Sequence, residues 1–130
     1  MSQLPNFLQV RAVVLVNFPA QIPPGREQEN TRPAVIVALP NVTGITRFSL
    51  VIVVPLTTQQ GDWMARNSTL YPQLQAGMGN LRYDSTVLLD QIRAVDIKRV
   101  LGYRGDLTPE EYQPIANGLK LMFGFSIIPQ

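Results

Sequence analysis

Two polar side chains at the ends of apolar runs have the chemistry to grip an anionic oxygen. Arg32 lies in Thr31-Arg32-Pro33, directly before Ala34-Val35-Ile36-Val37-Ala38-Leu39. Thr57 follows residues 48–56 (FSLVIVVPL) and opens the polar stretch Thr57-Thr58-Gln59-Gln60-Gly61. A guanidinium forks its N–H donors onto a carboxylate or a phosphate. A threonine hydroxyl adds one donor that can turn toward the same group. Pro33 biases Arg32 toward extended geometry, and proline belongs at a strand start. Arg32 is therefore expected at the rim of a rigid element. Two plainer readings stay open on local chemistry alone. Arg32 can form a structural ion pair with Glu27 or Glu29, and Thr57 and Thr58 can simply end a strand.

The elements that must position these groups read mostly as strands. Residues 11–18 (RAVVLVNF), 34–39 and 48–56 are rich in Val and Ile, which favour the pleated chain. The most apolar of them, 48–56, is expected in the middle of the sheet. Residues 85–89 form a further strand. Residues 90–95 alternate polar and apolar side chains, as a half-buried strand does. One helical turn is expected over 96–100. Residues 1–9 read as a loose lead-in, and 19–31 as a long loop of the kind that often carries function. Residues 61–80 read as irregular, with room for a short helical turn. Thr108-Pro109-Glu110-Glu111 is a helix start with a threonine cap, proline at the first position and glutamate at the third. Tyr112, Ile115, Ala116, Leu119, Met122 and Phe123 give that helix an apolar face. Pro114 either kinks it or marks where its continuous part begins. Such a helix is most simply a lid on the sheet or a dimer face.

The fold class is thus mostly β with α: a small, strongly twisted barrel built from the first 95 residues and closed by a C-terminal helix. If 34–39 and 48–56 pair antiparallel, the start of one lies beside the end of the other. Arg32 and Thr57 would then share one rim.

Composition narrows the chemistry. The 130 residues are expected to form a single domain over 1–130. The chain has neither cysteine nor histidine. Thiol nucleophiles, thiolate metal sites and a Ser-His-Asp triad are excluded, and the commonest general base is missing. Net charge is only +2, yet before residue 84 six arginines face only Glu27, Glu29 and Asp62. That imbalance favours an anionic partner, against the alternative of a weakly basic solvated surface. No secretory leader or membrane span is legible, so a cytoplasmic protein is the expectation.

In order and spacing, VLVNFP (14–19), GREQENTRPAVIVA (25–38), VVPLTTQ (53–59), STVLLDQIRAVDIKRV (85–100) and GDLTPEEY (105–112) resemble the MazF/PemK toxins of bacterial toxin–antitoxin systems. The likeness covers about residues 11–123. It implies an SH3-like barrel, usually a homodimer, and a metal-independent, cofactor-free endoribonuclease that cuts single-stranded RNA at short sequences. It also implies a cognate antitoxin whose acidic disordered tail lies across the RNA groove. The family's catalytic arginine, in Arg-Pro-Ala, falls on Arg32, and its catalytic threonine on Thr57. RNA-contacting positions fall on Glu27, Gln28, Thr58, Gln59, Ser85 and Gln91. Two departures stand out. Arg11-Ala12 replaces a Gly-Asp at the first strand, and Asn17 replaces an acidic residue whose loss could weaken activity. The segment 60–83 is also longer than the family's loop.

The residues suit RNA cleavage in which the substrate's own 2′-hydroxyl is the nucleophile. The protein then has to hold the phosphate in line and stabilise added negative charge. The products would be a 2′,3′-cyclic phosphate and a 5′-hydroxyl. A guanidinium is a poor general base, so Arg32 is assigned charge stabilisation first and proton donation to the 5′-oxygen second. Glu27 is the secondary acid/base candidate. Ser85 has no adjacent base, so a covalent nucleophile is not expected. Trp63 and Tyr71 are placed to stack on bases or to pack on the barrel. Arg66 and Arg82 either widen the phosphate track or are solvated. Two other readings are a family member that binds without cutting, and a gyrase-binding toxin of the CcdB kind on the same barrel. CcdB relies on a C-terminal Trp-Gly-Ile, and this chain ends Ile127-Ile128-Pro129-Gln130.

Overall fold

A computed structural model describes residues 5–27 and 29–125. Residues 1–4, Gln28 and residues 126–130 therefore lie outside the description. Seven strands form one curled, antiparallel sheet: β1 (Ala12–Phe18), β2 (Asn30–Ala38), β3 (Leu50–Thr57), β4 (Gln73–Leu74), β5 (Ser85–Val87), β6 (Arg93–Asp96) and β7 (Val100–Asp106). Two α-helices join them, α1 (Asp62–Arg66) and the C-terminal α2 (Pro109–Met122). The strand order is β4-β5-β3-β2-β1-β7, with β6 also on β3.

β3 is the axis of this arrangement. One edge pairs with β2, Ala34 facing Pro55 and Val35 facing Val54. Its other edge is shared: β6 takes Leu50–Val53 and β5 takes Leu56 and Thr57. Register shifts in the β1–β7 and β2–β3 ladders add local twist and curl the sheet.

The valine runs are explained by burial on both faces. Successive strand residues point to opposite sides. Val13, Val35, Val54 and Leu56 pack with Leu89, Leu107, Ile115 and Leu119. Their chain neighbours Val14, Ala34, Ile36 and Val53 pack with Val16, Phe18, Val51 and Val95. Neither face tolerates polar residues in mid-strand, so the alternation of a half-exposed strand is absent there.

α2 is the lid on the first of these cores. Its capping box is complete: Glu111 N–H donates to Thr108 Oγ1 at 3.1 Å, and Thr108 N–H donates to Glu111 Oε1 at 2.9 Å. The helix runs unbroken through Pro114, which sits on the exposed side. There the lost ladder bond leaves the Glu110 carbonyl near solvent rather than in the core. Ile115, Gly118 and Leu119 are buried. Met122 and Phe123, expected on the same apolar face, are instead exposed at the C-terminal end of the helix.

Several boundaries differ from expectation. β2 begins at Asn30, so Arg32 lies inside its strand rather than before it. β3 ends on Thr57 rather than before it. β7 was not expected at all: its glycines at 102 and 105 and its mostly exposed side chains hide the strand pattern, while β1 supplies the pairing. Leu8, in the supposed loose lead-in, is buried in the second core. The strand expected over 85–89 stops at Val87, and Leu89–Gln91 is a 3₁₀ turn. The turn expected over 96–100 is present at Ile97–Arg99, capped by Asp96. Among the described residues no helix is long and apolar enough to cross a membrane.

Two expected outcomes follow from the packing. A Cβ on Gly118 would stand 2.6 Å from the Thr69 carbonyl oxygen and collide with Leu89 Cδ1. Gly118→Ala should therefore destabilise by about 1–3 kcal/mol, although alanine is intrinsically the better helix former by about 1 kcal/mol. A lowered urea midpoint with unchanged slope is the readout. The second outcome concerns alkaline pH. The Tyr71 phenol is held above its ordinary value of 10.0 by its hydrogen bond to Asp90, and Tyr112 is held above it by burial. A phenol raised in the folded state binds its proton longer than in the unfolded chain. Its stabilisation is complete below the ordinary value and lost as pH climbs through the raised one. The melting temperature should hold steady to about pH 9 and fall above about pH 10. Tyr71→Phe and Tyr112→Phe should each make that fall shallower.

Candidate functional site

The β2–β3 register decides where the two leading residues meet. Ala34 faces Pro55, so the same register carried two residues further puts Arg32 across from Thr57. Directly opposed residues on paired strands present their side chains on the same face. Both residues line one cleft of about 280 Å³. Thr58 and Ser85 line it too. Thr31, Pro33, Leu56 and Leu81 supply its less polar surface.

Each polar group in the cleft is held by the backbone around it. Arg32 is half-buried, and its Nε donates to the Glu29 carbonyl at 3.0 Å. The alternative left open by the sequence, an ion pair with Glu27 or Glu29, does not form among the described residues. The Glu29 carboxylate instead accepts from Gln21 N–H at 2.7 Å, which closes the loop before β2. Among the described residues the two terminal amino groups of Arg32 have no partner, so their donors face a ligand. Thr57 is 4% exposed, and its Oγ1 accepts from Gln59 N–H at 3.1 Å. That leaves the hydroxyl hydrogen as a donor. Ser85, also buried, donates its Oγ hydrogen to the Tyr83 carbonyl at 2.9 Å, so toward a ligand it is an acceptor.

Of the remaining sequence candidates, all the described ones but Arg82 are placed elsewhere. Glu27 is exposed and its carboxylate curls back beside Gly25, outside the cleft lining. Gln59 contributes its backbone to the Thr57 turn, and its side chain does not line the cleft. Gln91 Nε2 donates to the Arg26 carbonyl at 3.2 Å and so ties the loop before β2 to the 3₁₀ turn after β5. Trp63 and Tyr71 meet edge to face, with centroids 4.8 Å apart, and the Tyr71 hydroxyl donates to Asp90 Oδ2 at 2.7 Å. They pack against each other rather than stand free. Arg66 lies on α1 away from the cleft, whereas Arg82 lines it.

Two cleft residues escaped the sequence reading, Tyr83 and Arg104. Arg104 arrives on β7, the strand whose pattern was hidden. Tyr83 falls between the irregular segment 61–80 and the strand expected over 85–89, and its one signal is an aromatic next to a basic residue. The cleft thus gathers Arg32, Arg82 and Arg104, and among the described residues no carboxylate lines it.

The departures at Arg11-Ala12 and Asn17 leave this lining untouched. Arg11 takes φ 82°, the left-handed region that glycine enters freely. Its Nη1 donates to the Leu107 carbonyl at 3.2 Å, which helps hold that conformation. Asn17 pairs with Thr31 and is exposed, one position along from the Val16–Arg32 pair. The Glu29 carbonyl, not a β1 side chain, orients the Arg32 guanidinium.

The same architecture occurs in solved toxins. MazF from Deinococcus radiodurans (Form-I) is 20% identical, with a TM-score of 0.70 over 93% of this chain and 100% of that one. An endoribonuclease in complex with its cognate antitoxin, from a Mycobacterial species, is 18% identical with a TM-score of 0.66, covering 95% and 100%. Mycobacterium tuberculosis toxin MazF-mt6 is 17% identical with a TM-score of 0.62, covering 89% and 99%. No curated protein matches the chain at a significant level. Identities this low speak for the fold, a curled antiparallel barrel with a C-terminal helix. The family itself is shown by sequence, since the profile for the "PemK-like, MazF-like toxin of type II toxin-antitoxin system" matches residues 9–123. The chain belongs to the PemK-like, MazF-like toxin family of type II toxin–antitoxin systems.

Proposed function

We propose that this protein is an endoribonuclease toxin that cuts single-stranded RNA in its Arg32–Thr57 cleft without a metal ion. The observation that carries this reading is a guanidinium and a buried hydroxyl facing each other on adjacent strands, both with donors to spare. The substrate 2′-oxygen attacks phosphorus, the bond from phosphorus to the 5′-oxygen breaks, and a 2′,3′-cyclic phosphate and a 5′-hydroxyl result. The Arg32 amino groups take the charge that builds on the non-bridging oxygens, and the Thr57 hydroxyl donates to one of them. Arg32 also stands as the donor to the departing 5′-oxygen. The 2′ proton passes to solvent, because Glu27 is outside the cleft lining. Thr58 donates to the neighbouring phosphate, and Ser85 Oγ accepts from the adjoining ribose hydroxyl.

Three arginines around one cleft also suit an acidic antitoxin tail, which would compete with RNA for the same cations. The exposed Leu121, Phe123 and Phe125 at the end of α2 support pairing with a second copy of the chain. Residues 1–130 act as one toxin domain in the cytoplasm.

Purified protein should cut single-stranded RNA in EDTA and leave cyclic-phosphate ends. Arg32→Ala should lower kcat/KM by at least about 10²-fold, the usual cost of losing a preorganised charge stabiliser. Thr57→Val keeps the buried shape and removes the hydroxyl, and should cost about tenfold or more in kcat. Arg66→Ala, away from the cleft, should cut as the parent does. Cleavage that requires a divalent ion, or full activity in the Arg32 variant, would refute the assignment.

A further inference from the structure

Tyr83 stands on the wall of the same cleft with 62% of its surface exposed. Among the described residues its ring meets no other ring and its hydroxyl makes no hydrogen bond. A side chain this exposed usually belongs to a loose loop, yet the backbone beneath it is pinned. Its carbonyl accepts from Ser85 Oγ at 2.9 Å. The next residue, Asp84, accepts from Ala76 N–H at 2.8 Å. Ser85 then enters β5 opposite Leu74. On the other side, Asn80 Nδ2 donates to the Arg104 carbonyl at 2.8 Å, fastening β7 to the turn that leads into Arg82 and Tyr83.

The wall therefore presents a flat ring with Arg82 beside it in sequence and Arg104 in the same cleft. A free phosphate or an acidic peptide would answer the two cations and leave the ring unused. A nucleobase carried on a phosphodiester answers both, offering a π-face to the tyrosine and charged oxygens to the guanidinia.

We propose that Tyr83 is a base-stacking platform that holds the nucleobase next to the phosphodiester gripped by Arg32 and Thr57, with Arg82 and Arg104 on the flanking phosphates. The assignment rests on the ribonuclease reading and adds a specificity determinant to it. Stacking rewards ring area rather than a hydrogen-bond pattern, so this subsite favours purines over pyrimidines at one position of the target.

The test measures binding apart from cutting. The probe is a 2′-O-methyl oligonucleotide of about ten residues spanning a mapped cleavage position, which lacks the nucleophile. Adenine and uracil homopolymers of the same length serve if no position maps. Dissociation constants are taken for the parent, Tyr83→Ala and Tyr83→Phe, each with the intact probe and with probes abasic at one position in turn. Tyr83→Ala should bind roughly five- to hundred-fold more weakly. Tyr83→Phe should stay within about twofold of the parent, since stacking needs the ring alone. One abasic position should weaken the parent by a similar factor and cost Tyr83→Ala nothing further. Tyr83→Ala binding as tightly as the parent would overturn the platform. So would equal abasic losses in both proteins, or a phenylalanine variant as weak as alanine. A parent that binds the probe but fails to cut ordinary RNA would refute the ribonuclease reading and leave the platform to be judged by the binding cycle. A parent that binds no probe would sink both.

Discussion

The pairing of β2 against β3 is the constraint on which the cleft depends. With Ala34 opposite Pro55, Arg32 and Thr57 meet at one end of the ladder and on one face. Because side chains alternate, a slip of one residue would send the guanidinium to the far side from the hydroxyl. Burial on both faces resists such a slip. Val35 and Val54 are committed to one core, Ile36 and Val53 to the other, and each core is closed by different neighbours. β3 is fixed further by β6 along its first half and β5 at its end. Three strands must therefore agree before Thr57 can move.

Around that rim the protein keeps its cations without neutralising them. Arg32 is steadied by a backbone carbonyl, and among the described residues no carboxylate lines the cleft. A carbonyl orients a guanidinium yet leaves its full charge available, whereas a carboxylate would occupy the fork an anion needs. The cost is modest because Arg82 and Arg104 stay largely in water. The gain is a local positive field that draws polyanions and weakens with salt. Three acidic groups are turned to structural work. Glu29 closes a loop, Asp84 pins the chain after Tyr83, and Asp90 holds Tyr71.

Family membership at about 20% identity to solved relatives fits a fold specified by pattern more than by particular residues. Arg11 shows how far that latitude goes. It occupies a left-handed backbone position where glycine would be free of strain, and offsets the strain with a hydrogen bond across to Leu107. The segment between β3 and β5 is mostly irregular. It carries α1, the Trp63–Tyr71 pair and the approach to Tyr83. The paired strands that hold Arg32 and Thr57 and the loop that carries Tyr83 are thus separate parts of the cleft.

Much was legible in the residues themselves. The β-rich class, the central place of β3, the cap at Thr108 and the meeting of Arg32 with Thr57 all follow from local rules. Apolar runs, proline placement and capping chemistry act over a few residues, and an antiparallel neighbour is the default for a short connection. The sequence also determined what chemistry was impossible, since side chains that are missing cannot be supplied by folding. Tertiary structure alone decided the rest. β7 is a strand because β1 offers it a ladder, and its own glycine-broken pattern could not announce that. Glu29 serves through its carbonyl and not its carboxylate, a choice set by the path of the loop. Tyr83 and Arg104, about twenty residues apart in the chain, share one wall because β7 pairs with β1 and Asn80 ties β7 to the turn before Tyr83. Local propensity reports the state of a segment, whereas the company a side chain keeps is decided by strand pairings between distant parts of the chain.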